Sequence, residues 1–118
     1  TCALPISMND LMRPSLYDAY HEIINLSPNN NVNEETYDVV GPVCETGDFL
    51  GKHRKLSIQT GDMLAVLDAG AYGMSMSSNY NSRPRACEVI VDDEHFYEIK
   101  SRETFDQLIA NEKLIPQK

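Results

Sequence analysis

No apolar run in the chain is long enough to span a membrane; the longest, Met63 to Leu67, is short. Thr1 to Ser7 lacks the basic flank and the long apolar core of a signal peptide. Basic residues are few: 10 Lys and Arg stand against 18 Asp and Glu, a formal net charge of −8. That balance argues against a nucleic-acid or anionic-membrane surface, and no basic tail offsets it. Cysteine is scarce and odd in number. Cys2, Cys44 and Cys87 are spaced for neither a disulfide framework nor a zinc site, and a reducing cytoplasm is the natural compartment. His21, His53 and His95 are scattered, with no His-x-x-x-His or Cys-x-x-Cys pair. No metal is expected, and these histidines read as surface or ordinary core residues. Internal repeats are missing as well. What remains is 118 residues, 42% of them hydrophobic, which suits one folded domain with one modest core.

Taken in order, Asn9-Asp10 offers a helix cap and Pro14 suits a first helical turn. Leu16, Ala19, Tyr20 and Ile23 then fall on one face at helical spacing. Ile24 and Leu26 suggest a short strand, ended by the polar loop Ser27 to Asn31. Thr36 to Val40 is the next strand. Arg54 to Ile58 alternates only weakly, and Thr60-Gly61-Asp62 makes a turn. Met63 to Leu67 reads as a central buried strand. Cys87 to Val91, the turn Asp92-Asp93-Glu94 and His95 to Lys100 form a β-hairpin. Ser101 caps a last helix with Phe105, Leu108 and Ile109 as its apolar stripe. The expected class is mainly β with flanking helices (α+β), arranged as a β-barrel or sandwich. The alternative is a flat antiparallel sheet covered by two helices.

Two stretches carry the candidate chemistry. In the first, the run Tyr37 to Val40 is broken by Gly41-Pro42, and Gly47 follows closely, so Gly41 to Asp48 is an exposed loop after a strand. Its tip sets Cys44 beside Glu45, with Asp48 a few residues on. Carboxylates beside a thiol disfavour the thiolate, so Cys44 suits proton donation better than nucleophilic attack; the plain alternative is a small packing cysteine. The second stretch, Asp68 to Arg85, follows the Met63–Leu67 strand and is dense in Gly, Ala and Ser, which let backbone approach a ligand or second subunit closely. Tyr72 stands in it between Ala71 and Gly73. Its plain alternative is a core tyrosine with a satisfied hydroxyl, as Met74 and Met76 are packing residues. Arg13 and Tyr17, four residues apart on a helix, point the same way and form a candidate anion site; a solvated surface arginine is the alternative.

Three segments together resemble the C-terminal part of diaminopimelate decarboxylases: Met-Asn-Asp-Leu-Met-Arg-Pro-Ser-Leu-Tyr at 8–17, Gly-Pro-Val-Cys-Glu-Thr-Gly-Asp at 41–48, and Ala-Gly-Ala-Tyr-Gly-Met-Ser-Met-Ser-Ser-Asn-Tyr-Asn-Ser-Arg-Pro at 69–84. They occur in the family's order and span nearly the whole chain. Thr46 stands where serine is more usual. The resemblance implies a pyridoxal-phosphate enzyme with an α/β barrel that holds the cofactor on a lysine, and a C-terminal Greek-key-like β-domain. This chain is similar to the second alone, over residues 1–118. The barrel and its Schiff-base lysine are missing from it, and residues 1–7 are atypical for the family, either foreign to the protein or the start of a separate piece.

By the same resemblance Cys44 matches the cysteine that protonates the reacting carbon after carbon dioxide departs. Glu45 matches an acid that reads the distal amino group of the substrate. Arg13 and Tyr17 match residues for its distal carboxylate, where a bidentate guanidinium suits the charge. Tyr72 matches a tyrosine contacting cofactor phosphate and substrate. The implied partners are meso-diaminopimelate, the N-terminal barrel and a second subunit, since the family's active site forms across a homodimer interface. The competing expectations are a stand-alone binding or dimerisation module and another decarboxylase of the same fold type. A thiol hydrolase would need a base beside Cys44, where the sequence offers acids.

Overall fold

The structure is a computed structural model that describes residues 2–3, 6–27 and 31–116. It divides into two compact units, Thr1–Ser77 and Ser78–Lys118.

The first unit is built on β3 (Glu35–Val40) and β4 (Phe49–Leu56), paired antiparallel, with β1 (Cys2–Ala3) parallel to β3 on its other side. Val39 and Leu50 are fully buried and, with Leu11, Ile23, Leu56 and Ile58, form the core. The β3–β4 ladder is irregular at Asp38, where the register shifts between Tyr37 and Val39. Opposite it His53 adopts a left-handed φ of 53°, and its N–H donates to Asp38 Oδ1 at 2.9 Å. A Cβ on Gly51 would meet the Arg54 side chain, which would have to shift, and would touch Ile23 Cδ1 at 3.0 Å. A separate two-stranded sheet pairs β2 (Ile23–Asn25) with β5 (Leu64–Val66), Ile23 opposite Val66. The helix α1 (Arg13–Tyr17) precedes β2, and α2 (Gly70–Met76) follows β5.

Several expectations give way here. The helix predicted from Asn9 through Ile23 is only five residues long: Asp18 turns left-handed at φ 53° and ends it, with its N–H on Arg13 O. Its start is at Met12, with no side-chain cap, because the Asn9 side chain is spent on Ser7 Oγ at 2.8 Å. The stripe therefore breaks up; Leu16 and Tyr20 are exposed and Ile23 enters β2. Leu26 falls just after that strand, and of the loop at 27–31, Pro28 to Asn30 lie outside the described residues. Thr1, Leu4 and Pro5 of the atypical start also lie outside them. β4 begins at Phe49, well before Arg54, because glycine and the left-handed His53 mask its strand pattern. The Met63–Leu67 strand is neither central nor fully buried: it belongs to a two-stranded sheet, and Met63 is exposed. Thr60-Gly61-Asp62 does turn, with Gly61 at φ 96°.

In the second unit a turn of 3-10 helix (Tyr80–Ser82) leads to the hairpin of β6 (Glu88–Asp92) and β7 (His95–Lys100), where Asp92 pairs with His95 around Asp93 at φ 53°. The last helix, α3 (Phe105–Ile109), is capped by Thr104 and not by Ser101. Thr104 Oγ1 accepts from Gln107 N at 3.3 Å while Gln107 Oε1 accepts from Thr104 N at 2.8 Å, a reciprocal box that satisfies two otherwise orphaned donors. Ser101 Oγ instead donates to Glu98 Oε1 at 2.6 Å. Phe105 and Ile109 are exposed, so α3 buries no full apolar stripe here.

Glu103 joins this unit's connecting segments. One oxygen accepts from Arg85 N at 2.8 Å and from Asn79 Nδ2 at 2.6 Å, and the other meets the Arg85 guanidinium at 3.4 Å. The Arg85 backbone N–H, then the Asn79 amide, hold the Glu103 carboxyl below its usual value of 4.5; partial desolvation opposes them. A depressed carboxyl contributes stability that is fully present above its unfolded pKa and is lost as pH falls through the folded pKa. Acid titration followed by tryptic cleavage after Arg85 should therefore show this unit loosening below pH 4.5 in the wild type. Glu103→Gln should be cleaved faster at neutral pH and lose that acid-dependent step; identical profiles would contradict the assignment.

The described residues are thus mainly strand with a few short helices. Their strands form one three-stranded and two two-stranded sheets, and no closed barrel is found among them. Nor do the described strands form the alternative single flat sheet, since they fall into three separate sheets.

Candidate active site

The loop at 41–48 connects β3 to β4, whose last pair is Val40 with Phe49. Gly41 N donates to Asp48 O at 3.0 Å, closing the loop's neck, and inside it Glu45 N reaches Val43 O at 2.9 Å while Asp48 N reaches Glu45 O at 3.0 Å. These short-range bonds push the tip outward. Cys44 and Glu45 are exposed, and Cys44 is a free thiol. A hollow of about 430 Å³ opens beside them, lined among others by Val43, Cys44, Glu45, Thr46 and Lys52, a size within the ~300–1,000 Å³ typical of small-molecule sites. Asp48, read from sequence only as a charge near the thiol, is instead the loop's buried anchor, 3% exposed.

Arg13, at the start of α1, lies with its guanidinium carbon 5.8 Å from the centre of the Tyr17 ring and 4.8 Å from that of Tyr72 on α2. The helical spacing predicts the first contact, whereas only the tertiary fold makes the second. Both rings are more than half exposed, 61% and 53%, so Tyr72 is not a core tyrosine. Both rings lie under the guanidinium, within reach of cation–π attraction. Among the described residues no carboxylate forms an ion pair with it. Gly73 of α2 faces the Asp10 carbonyl, where an added Cβ would make an ordinary contact at 3.8 Å.

The five candidate residues thus fall into two groups: Arg13, Tyr17 and Tyr72 together, and Cys44 with Glu45 on the loop. None of the first group lines the hollow beside Cys44. The groups share a support, the segment at 8–12. Met8 N donates to the loop's Asp48, and a Cβ on Gly47 would meet Met8 Sδ and Ser15 Cβ at 3.6 Å. His21 is an ordinary core residue, as the sequence allows: it is buried with Nδ1 3.0 Å from Leu67 O, and since a carbonyl only accepts, Nδ1 carries the proton there. Sequence reasoning does not find the contact of Arg54, whose guanidinium carbon lies 3.9 Å from the centre of the Tyr20 ring. Among the described residues no group of His, Cys, Asp and Glu is arranged to hold a metal ion, and no helix is long and apolar enough to cross a membrane.

Residues 2–70 match the family described as pyridoxal-dependent decarboxylase, C-terminal sheet domain. The chain is 56% identical to diaminopimelate decarboxylase of Neisseria meningitidis serogroup A over 106 residues, 90% of this chain and 26% of that protein. With the Vibrio cholerae enzyme of the same name it shares 54% over 111 residues, 94% of this chain and 26% of that protein. Among solved structures, diaminopimelate decarboxylase of M. jannaschii aligns with a TM-score of 0.90 at 41% identity, covering 97% of this chain and 26% of the other; the same protein is also known in complex with L-lysine. The chain spans about a quarter of the length of these relatives.

Proposed function

This chain belongs to the pyridoxal-dependent decarboxylases, as their C-terminal sheet domain, and from that premise we propose that it is the C-terminal β-domain of a meso-diaminopimelate decarboxylase, a carboxy-lyase that forms L-lysine. The observation that carries the reading is the Arg13–Tyr17–Tyr72 cluster: α1, with Arg13 and Tyr17, and the distant Tyr72 on α2 come together, and among the described residues no carboxylate forms an ion pair with the guanidinium. The fork takes the substrate carboxylate that does not leave, with the Tyr17 hydroxyl beside it. Glu45 accepts from the distal ammonium. Cys44 delivers a proton to the carbon that has lost carbon dioxide: the C–C bond to the carboxylate breaks, a C–H bond forms, and the thiol regains its proton from water. The Tyr72 hydroxyl, on a half-exposed ring, fits one hydrogen bond to the phosphate of pyridoxal phosphate. When bound, that cofactor draws off the electrons released as carbon dioxide leaves. The lysine that carries it belongs to the barrel domain.

The rest of the assignment is part of the same proposal. Residues 1–118 form one β-domain, Greek-key-like in the whole enzyme; support comes from the two-stranded β2–β5 and β6–β7 sheets, which are marginal alone. The domain works beside an N-terminal α/β barrel in a cytoplasmic homodimer, with the Cys44 loop reaching the partner's site; the exposed loop tip supports that role. The isolated chain should be inactive, and mixed with pyridoxal phosphate it should show no dialysis-resistant band at roughly 400 nm, the region of cofactor–lysine chemistry. The full-length protein should release carbon dioxide from meso-diaminopimelate and yield lysine. Release from ornithine or arginine alone would place it with another decarboxylase of this fold type, and no release from any of the three would make it a binding or dimerisation module.

A further inference from the structure

Asp48 is 3% exposed, yet among the described residues no cation forms an ion pair with it. Burying a carboxylate is costly unless hydrogen bonds replace its water. Here they do: Oδ2 accepts from Val43 N at 2.7 Å, and Oδ1 accepts from Met8 N, also at 2.7 Å, forty positions away in sequence. Both facing groups are N–H donors. Only a side chain with two acceptor oxygens satisfies both; an asparagine would turn its own NH₂ onto one of them. Gly41 belongs to the same device, because a Cβ there would collide with the Asp48 carboxylate. One end of this clamp thus lies on the residue before Cys44, and the other on the segment that leads into Arg13.

We propose that Asp48 is a positioning residue that fixes the Cys44 loop against the Met8–Arg13 segment, so that the thiol is presented in one position to the substrate it serves. This rests on the reading of Cys44 as proton donor. A misplacement of the reacting group by an ångström costs up to about 10²-fold in rate, so a loosened clamp should lower turnover while leaving carboxylate binding at Arg13 nearly intact.

The test is a double-mutant cycle in the full-length, cofactor-loaded enzyme, with Asp48→Asn measured alone and in a Cys44→Ala background. Alone it should lower kcat by roughly 10–100-fold with KM changed less than about threefold, and hydrogen exchange of the 41–48 amides should quicken. In the Cys44→Ala background it should lower kcat by less than about twofold, because the proton donor it positions is gone, while any displacement of Glu45 on the same loop shows in KM alike in both backgrounds. An equal loss in both backgrounds, or no loss alone, overturns the proposal. Full turnover in Cys44→Ala itself overturns the proton-donor reading instead, and the two failures are thereby told apart. Gly41→Ala, which displaces the carboxylate without deleting it, enters the same cycle if Asp48→Asn does not fold; failure of both to fold makes Asp48 a scaffold residue only and also overturns the proposal.

Discussion

Cys44→Ala in the full-length enzyme is expected to lower turnover by about 10²–10⁴-fold, the usual contribution of a positioned proton donor, while the cofactor spectrum before substrate is added stays nearly unchanged. The split follows from where the residue stands. Cys44 is an exposed free thiol at the tip of a loop whose own hydrogen bonds close at the neck, between Gly41 and Asp48. Truncating an exposed tip side chain leaves that scaffold whole, so loss of fold is not the expected cause of lost activity. Cys44 and Glu45 line the same hollow, as the proposed reading requires of two groups on one substrate. Single-turnover kinetics in ordinary and heavy water decide the matter. The wild type should show a solvent isotope effect on product formation, and the variant should be slower, with a different effect as water becomes the donor. Equal turnover with an unchanged isotope effect would make Cys44 a surface residue without a catalytic role.

What the sequence revealed was local, and what it concealed was tertiary. The loop at 41–48 was legible because Gly41-Pro42 and Gly47 are turn chemistry on their face, and the β6–β7 hairpin because its turn acids separate two runs of strand formers. The Arg13–Tyr17 contact follows from helical spacing. The Tyr72 contact does not: the residue was singled out by its small neighbours and by the family resemblance, and only the fold brings α2 to α1. The helix after Arg13 was overextended because periodicity cannot see a left-handed stop at Asp18. Met63 to Leu67 was promoted to a central strand because an apolar run carries no information on how many neighbours it pairs with. The cap of α3 was legible in principle, since Thr104 and Gln107 have the spacing of a capping box, but Ser101 offered a competing cap. Asp48 could not be understood from sequence at all. Its partners are backbone N–H groups, which every residue but proline carries, and one of them lies forty positions away.

Arg13→Lys should weaken binding of meso-diaminopimelate by on the order of 1.5–3 kcal/mol, about 10–150-fold, the value of a hydrogen bond to a charged group, although the net charge is kept. The guanidinium carbon lies over the Tyr17 ring at 5.8 Å and over the Tyr72 ring at 4.8 Å. A planar guanidinium suits a fork-to-fork contact with a carboxylate. An ammonium on a flexible stem makes one contact at a time and does not stack in the same plane, so the substitution removes geometry and leaves charge. Atom bookkeeping then supplies the control. On the proposed reading the carboxylate held by Arg13 would be the one that does not leave, so the product L-lysine would keep it, whereas 1,5-diaminopentane has none. Arg13→Lys should raise KM for diaminopimelate and weaken inhibition by lysine in parallel, with inhibition by the diamine unaltered. Tyr72→Phe keeps the ring over Arg13 and should leave lysine inhibition within about twofold, which separates the stacking role of the ring from any role of its hydroxyl. A variant Arg13→Lys that binds diaminopimelate and lysine as tightly as the wild type would remove Arg13 from the site and leave the cluster as surface packing.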